Sequence, residues 1–351
     1  AISLHYVNKD TMVSKKSYLR EPLIIRKPEG LYCPKARAYI DPWRPVDCAL
    51  ITHAHADHAR AGSRQYHCAL GGEGILRKRL GDHDIRAHTY GEVFALGEVE
   101  VSFHPAGHVL GSAQIRVDDG HSVWVITGDY KRDSDPTCRL FEPVTCDVLI
   151  TEATFALPIY RWPSMDQVMD RMFSWWDHHV RNHRTPVLLC YSLGKAQRIM
   201  AEISNRSDRS VLVHSAVANL NLEYEQQGIE LGQWERANES QKSISTDLII
   251  APPQAADSAF LKRFRPTELA MASGWMQVRG VRRRSTISQG FVVSDHADWD
   301  GLIRTIKDSG ASQVYATHGE TRVFTRYLND CLHINAERLE TAFGIEAGTD
   351  Q

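Results

Sequence analysis

The 351-residue chain contains no CxxC pair, and its seven cysteines (33, 48, 68, 138, 146, 190 and 331) are scattered and odd in number. That argues against a zinc ribbon and against a disulfide framework, so the cysteines read as reduced small hydrophobes. No apolar run approaches the roughly 20 residues a bilayer-spanning helix needs. A basic-then-apolar leader pattern is also missing, and the expectation is a cytoplasmic protein with no membrane partner. A phosphate-cradling GxxxxGK[ST] loop is absent. Strong charge of either sign is lacking too: the formal net charge is −2. Any attraction for a polyanion must therefore come from local basic patches and bound cations.

What is present is an ordinary globular composition, 42% apolar and 24% charged. It is long enough for two compact units or for one domain carrying a large insertion. Histidine stands out, with seventeen copies. Thr52 to Ala59 reads THAHADHA and places His53, His55, Asp57 and His58 within six consecutive positions. Imidazole and carboxylate suit zinc and neighbouring first-row divalent ions. Cys48-Ala49-Leu50-Ile51 reads as a short buried strand, so the ligands fall where that strand ends. His53 and His55 can converge on one ion, while Asp57 and His58 can turn toward a second. An exposed polar loop with coincidental histidines is the competing reading.

The same placement recurs downstream. A strand over Val99 to Phe103 leads to His108 in PAGHVLGS. The pair Ala113 to Val117 and Ser122 to Thr127 brackets Asp118-Asp119-Gly120 as a hairpin and delivers Asp129. Asp147 to Thr151 runs into Glu152. Near the end, Gly290 to Val293 leads to His296 in SDHADW, and Val314 to Ala316 leads to His318 in THGE. Residues 1 to about 50 read as antiparallel strands of scaffold. Within them Asp41-Pro42-Trp43-Arg44-Pro45 reads as a rigid turn in preference to a substrate-facing loop.

Between Glu152 and His296 the pattern changes to strands alternating with helices. Ser164 to about His183 has helical spacing with Met165, Val168, Met172, Phe173, Trp176 and Val180 facing a core. Pro186 to Cys190 precedes a helix from Lys195, Val211 to Val213 precedes one from Ala218, and Leu248 to Ala251 precedes Asp257 to Phe264. Leu269 to Ala272 ends at Ser273-Gly274-Trp275. Such alternation implies a parallel sheet with ligands at the carboxyl ends of its strands. Ser192, Gly194 and Lys195 there suit one phosphate at a helix start, or simply a capped helix. Ser273 and Gly274 suit phosphate contact, and Trp275 either stacks on a base or packs between lobes. Basic clusters at Lys262-Arg263-Phe264-Arg265 and Arg282-Arg283-Arg284 suit nucleic acid or a solvated face.

As an ordered set, THAHADHA, PAGHVLGS, TGDYKRD, TEATF, SDHADW and THGE resemble the motifs of β-CASP nucleases, a branch of the metallo-β-lactamase superfamily. The resemblance spans residues 52 to 320. It implies an α/β fold: a metallo-β-lactamase αββα four-layer sandwich with an inserted parallel α/β β-CASP domain. The expected division is 1–160 and 286–351 for the sandwich and 161–285 for the insertion. The resemblance also implies two divalent ions, zinc or manganese. His53, His55 and His108 would hold one, Asp57, His58 and His318 the other, with Asp129 bridging. Asp57 would orient or deprotonate water, and His296, held by Glu152, would protonate the departing 3′-oxygen.

Ile40-Asp41-Pro42-Trp43-Arg44-Pro45-Val46, YSLGKAQR and SDHADW are most similar to bacterial DNA ligase-associated exonucleases. This implies a DNA exonuclease acting from a 5′ end in repair, with DNA ligase or helicase partners. His318 is the residue that RNA-acting relatives such as RNase J carry, where Artemis-type DNA nucleases carry valine. An RNA nuclease therefore stands as the alternative, and a small-molecule metallo-hydrolase as a more distant one.

Overall fold

The computed structural model describes residues 21–237, 248–278 and 287–341. The cluster Arg282-Arg283-Arg284 lies outside the described residues. Among those described, no helix is long and apolar enough to cross a membrane.

Three sheets organise the chain. The first takes its strands in sequence order: β1 (Ile25–Lys27), β2 (Gly30–Cys33), β3 (Ala38–Ile40), β4 (Cys48–Leu50), β5 (Gln65–Ala69) and β6 (Asp84–His88). Its first two pairings are antiparallel, but β3 to β6 run parallel. The antiparallel reading of this segment thus stops at β3. Strands of three residues are short enough for the loop 41–47 to carry the chain back and start β4 beside β3. As a result the carboxyl ends of β3 and β4, at Asp41 and Thr52, lie side by side.

The second sheet has the order β19-β18-β11-β10-β9-β8-β7. Its strands are β7 (Phe94–Leu96), β8 (Val99–Pro105), β9 (Ala113–Asp118), β10 (Val123–Ile126), β11 (Val148–Ala153), β18 (Gln313–Gly319) and β19 (Asn335–Arg338). From β10 to β19 neighbours are parallel, and β8 runs the same way because β9 is antiparallel to both β8 and β10. Strand β18 extends three residues further than its apolar run suggests, so His318 lies inside it rather than after it.

Leu31, Ile40 and Leu50 of the first sheet pack with Val101, Phe103, Ile115, Ile126 and Ile150 of the second in one buried cluster. The outer face of the second sheet is covered by α6 (Trp299–Ser309) and α7 (Thr321–Leu332), whose Trp299, Leu302, Ile306, Phe324 and Leu328 meet Val125, Leu149 and Val314. The Asp298 carboxylate caps α6 by accepting from Gly301 N at 2.8 Å, and Gly310 ends it in the left-handed region.

The third sheet is parallel throughout, in the order β14-β13-β15-β12-β16-β17. It comprises β12 (Thr185–Leu189), β13 (Val211–Val213), β14 (Trp234–Arg236), β15 (Leu248–Ala251), β16 (Thr267–Ala272) and β17 (Gln289–Phe291). Helices α2 (Met165–Arg181), α3 (Lys195–Ser204) and α4 (Ser215–Gln226) flank it. The His214 imidazole accepts from Ala216 N and starts α4 earlier than its apolar spacing indicates. Between β15 and β16 the expected helix reduces to α5 (Ala259–Lys262) after a single 3-10 turn at Pro253–Ala255. Tyr66 of β5 and Ile75 and Leu76 of α1 (Glu73–Leu80) share one apolar core with Val168, Met172 and Trp176 of α2 and Ile199 of α3. The first and third sheets are thus joined by buried side chains, not only by the connecting chain.

Candidate metal centre and active site

Strands β3, β4, β8, β10, β11 and β18 all deliver their carboxyl ends to one place. There His53 Nε2 and His108 Nε2 each lie 3.1 Å from His55 Nδ1. Their outer nitrogens fix which atom carries the proton. His55 Nε2 faces the Leu193 carbonyl at 3.3 Å and His108 Nδ1 faces the Asp295 carbonyl at 2.8 Å, so both must donate outward. Thr52 Oγ1 donates to Asp41 Oδ2 at 2.5 Å and therefore accepts from His53 Nδ1 at 3.1 Å. Three unprotonated nitrogens consequently point at one another. Burial, then the neighbouring imidazoles His296 and His55, pushes His108 down to about 3. Burial lowers His55 as well, and burial with His58 and His108 holds His53 well below its ordinary value. Protons are disfavoured on all three, and converging lone pairs at this spacing suit a divalent cation between them.

Asp129 Oδ2 lies 3.6 Å from His53 Nε2, 3.8 Å from His108 Nε2 and 3.4 Å from His58 Nε2. The ligand atoms of His53, His55, His108 and Asp129 are within 4.8 Å of one another, and so are those of His58, Asp129 and His318. One carboxylate is thus common to both groups. Its approach depends on Gly128, whose φ is +57° and whose missing Cβ would fall 2.6 Å from Thr52 Cβ. Asp57 stands outside these groups, half exposed, with Oδ2 3.6 Å from His58 Nε2. Burial opposes a charge on His58, but the carboxylates of Asp129, Asp57 and Asp41 outweigh it and hold this imidazole well above its ordinary value. The proton it carries is the one a cation would displace.

Beside this centre, His296 Nδ1 and Glu152 Oε2 are 2.8 Å apart, and Glu152 Oε1 accepts from Tyr130 N at 2.8 Å. Burial works against a charge on His296, yet the Glu152 and Asp129 carboxylates raise it to about 9. The other ring nitrogen is left to hold a proton near the metal groups.

No family model matches the chain. A probable DNA ligase from Opitutus terrae is 29% identical over 317 residues, covering 88% of this chain and 30% of that protein. An RNase J-like protein from Methanocaldococcus jannaschii is 24% identical, over 46% of this chain and 44% of the relative. Endoribonuclease ysh-1 from Neurospora crassa is 28% identical, over 33% and 14% respectively. The chain thus matches less than half the length of each of these relatives. The ordered ligands and these relatives agree. The chain is similar to nucleases of the β-CASP branch of the metallo-β-lactamase superfamily. A crystal structure of a protein of unknown function from Enterococcus faecalis V583 shares the fold, with a TM-score of 0.59 at 15% identity over 84% of this chain and 79% of that one.

The candidate phosphate groups of the third sheet are placed unevenly. Ser192 and Trp275 are half-buried, whereas Gly194, Lys195, Ser273 and Gly274 are buried. The Lys195 ammonium lies 3.7 Å from Asp295 Oδ2 and over the Tyr191 ring. Ser273 Oγ accepts from Trp275 N at 3.3 Å, and Gly274 packs so close to Phe155 that a Cβ would sit 2.6 Å from that ring. Trp275 itself packs against Phe155 and Tyr160. Helix α5 and the turn after it carry Lys262, Arg263 and Arg265, none of which is among the ligand groups.

Asp41, in a stretch expected to be a rigid turn or a substrate-facing loop, also accepts from His58 Nδ1 through Oδ2 at 2.7 Å. An acidic residue ending one strand beside the histidine-bearing end of the next was the available signal. Its Asp-Pro context resembles any turn and concealed it.

Proposed function

We propose that this chain is a two-metal phosphodiesterase that hydrolyses DNA, working as an exonuclease from a 5′ end in DNA repair. The observation that carries the reading is the single Asp129 oxygen within 3.8 Å of imidazoles from both ligand groups, an arrangement suited to two adjacent cations. His53, His55 and His108 would hold one ion and Asp57, His58 and His318 the other, with Asp129 common to both groups. The ions are zinc or manganese, both of which accept this donor set. When bound, they acidify the attacking water and stabilise charge on the phosphodiester.

The chain's own groups do the rest. Asp57, half exposed beside His58, orients the water and accepts its proton. A new bond forms from water oxygen to phosphorus, and the bond to the 3′-oxygen breaks. The departing oxygen takes its proton from His296, whose ring Glu152 holds in one tautomer. Ser192 and Trp275 meet the strand, while Gly194, Lys195, Ser273 and Gly274 shape the wall behind them.

In architecture, the two packed sheets with helices outside them support a four-layer αββα sandwich over 1–160 and 286–351. The parallel sheet supports an insertion with expected bounds 161–285, but β17 pairs with β16 and carries that sheet to Phe291, so the chain returns to the sandwich only after β17 and not at 286. The match to a probable DNA ligase over 88% of this chain supports DNA as substrate and a ligase or helicase as partner in the cytoplasm. RNA is the second reading, favoured by the endoribonuclease and RNase J-like relatives.

Matched DNA and RNA oligonucleotides, labelled at either end and followed over time with zinc or manganese, test both readings. The expected result is early release of labelled mononucleotide from 5′-labelled DNA. Cleavage of RNA with DNA left intact would replace the first reading by the second. Turnover of thioesters or lactones alone would discard both.

A further inference from the structure

His55 and His108 take their orientation from a different part of the molecule than His58 does. The His58 outer nitrogen is held by Asp41 of the first sheet. The His55 outer nitrogen instead donates to the Leu193 carbonyl, in the loop between β12 and α3 of the third-sheet unit. That of His108 donates to the Asp295 carbonyl, four residues after β17. Both carbonyls belong to one buried assembly. Asp295 is 2% exposed and Lys195, the first residue of α3, is 4% exposed, with 3.7 Å between ammonium and carboxylate. Arg198, one turn further on, donates to the Ser294 carbonyl at 2.9 Å and lies 3.5 Å from Asp135. The other Asp295 oxygen, Oδ1, has no hydrogen-bond partner among the described residues, so Lys195 is the cation closest to balancing this charge. Gly194 lets the loop sit against the His108 segment: at φ +89° it has no Cβ, which would fall 2.3 Å from Val109 Cγ1.

We propose that the start of α3 is a positioning element for the three-histidine half of the metal centre, acting through the Leu193 carbonyl and the Lys195–Asp295 pair. Ion affinity at that half then depends on how α3 is seated, while the His58 half does not. Removing Lys195 takes away the nearest counter-charge of a buried carboxylate, leaving Arg198 to balance it from further off, and the backbone that carries the Asp295 carbonyl shifts to relieve the loss. His108 then loses its fixed ring orientation. The linkage is reciprocal, so anything that moves α3, a bound strand included, changes the affinity of the first ion. This inference rests on the metal-centre reading above.

The test is Co2+ and Zn2+ titration of the full chain against a chromophoric chelator, with the Co2+ visible spectrum as a second readout. The wild-type chain binds two ions. Lys195→Met is expected to keep one at wild-type affinity, weaken the other about 10–100-fold, the range typical of lost outer-sphere support, and alter its Co2+ bands. Lys195→Arg is expected to restore both. Lys78→Met serves as the control: it breaks a contact with Glu223 of α4 at the same joint, 3.0 Å long and involving none of the ligands, and should leave both affinities unchanged.

If Lys195→Met does not fold, the isosteric Asp295→Asn reads the same pair and is expected to weaken the same ion. Two ions at wild-type affinity in whichever of these two variants folds overturns the proposal. So does equal weakening by Lys78→Met, which would mean a generally loosened joint. A wild-type chain that binds no divalent ion overturns the metal centre itself, a result distinct from failure of the coupling.

Discussion

Asp41 Oδ2 accepts two hydrogen bonds, from Thr52 Oγ1 at 2.5 Å and from His58 Nδ1 at 2.7 Å. Through Thr52 it also fixes His53, so one carboxylate outside the ligand groups sets the tautomers of a histidine in each half. Its effect on His58 is direct and charged, and on His53 it passes through a hydroxyl. Asp41→Asn is therefore expected to weaken the ion held by His58 and His318 by about 10–100-fold and to affect the other by much less. Equilibrium dialysis at graded metal concentrations measures both. An unchanged second affinity would remove Asp41 from the centre.

The histidines of the centre were legible because their residue type is rare at such density and because each follows a strand-like run. Asp41 was not, since its significance comes from the parallel pairing of β3 with β4, which no local pattern announces. The alternation of apolar strands and helices was enough to read the four central strands of the parallel third sheet, but not its edges, β14 and β17, the second of which was expected in the sandwich. Its joint with the first sheet was not readable, because Tyr66 and Trp176 are ordinary core residues until packing brings them into one cluster. Lys195 looked like a phosphate ligand at a helix start for a sound local reason. Its burial against Asp295 depends on a residue a hundred positions away.

Asp129 provides the most direct test of the centre as a whole. Because Oδ2 is shared by both groups, Asp129→Ala is expected to reduce bound metal from two ions to one or none and to lower kcat by at least about 10³-fold, a span of roughly 4 kcal/mol. Metal content by atomic emission after desalting provides the check. Retention of both ions at full stoichiometry would show that the carboxylate is not a bridge.

Away from the centre, His67 predicts an acid-sensitive fold. Its ring stacks near Phe94 of the second sheet, and Nδ1 lies 2.9 Å from His88 Nε2. Burial first, then His88 and Arg86, lowers it to about 4. A depressed value means that its contribution is fully present above the unfolded value of roughly 6.5 and is lost as pH falls through about 4. Urea midpoints of the chelated protein should therefore drop between pH 7 and 4. His67→Phe, which keeps an aromatic ring beside Phe94, should be less stable at pH 7 but show a smaller drop. An identical pH slope in the two proteins would exclude His67 as its source.

The His296–Glu152 pair makes the sharpest chemical prediction. Glu152 contributes most to raising His296 to about 9 against the opposing effect of burial. The acid form is lost as pH rises, so kcat/KM should fall on the alkaline side, at a pH below about 9 because bound cations offset the Asp129 carboxylate. Glu152→Gln removes the carboxylate and should move that falling limb to lower pH without abolishing turnover. His296→Ala should lower kcat on DNA by about 10²- to 10⁴-fold, the usual worth of a placed proton donor. Loss of rate alone would not separate a proton donor from a residue that merely shapes the site. A substrate with an activated leaving group does, because p-nitrophenolate departs from bis(p-nitrophenyl) phosphate without needing a proton. His296→Ala should be nearly as active as wild type on that ester while failing on DNA. Equal losses on the two substrates would mean that His296 positions the centre and does not protonate the leaving oxygen.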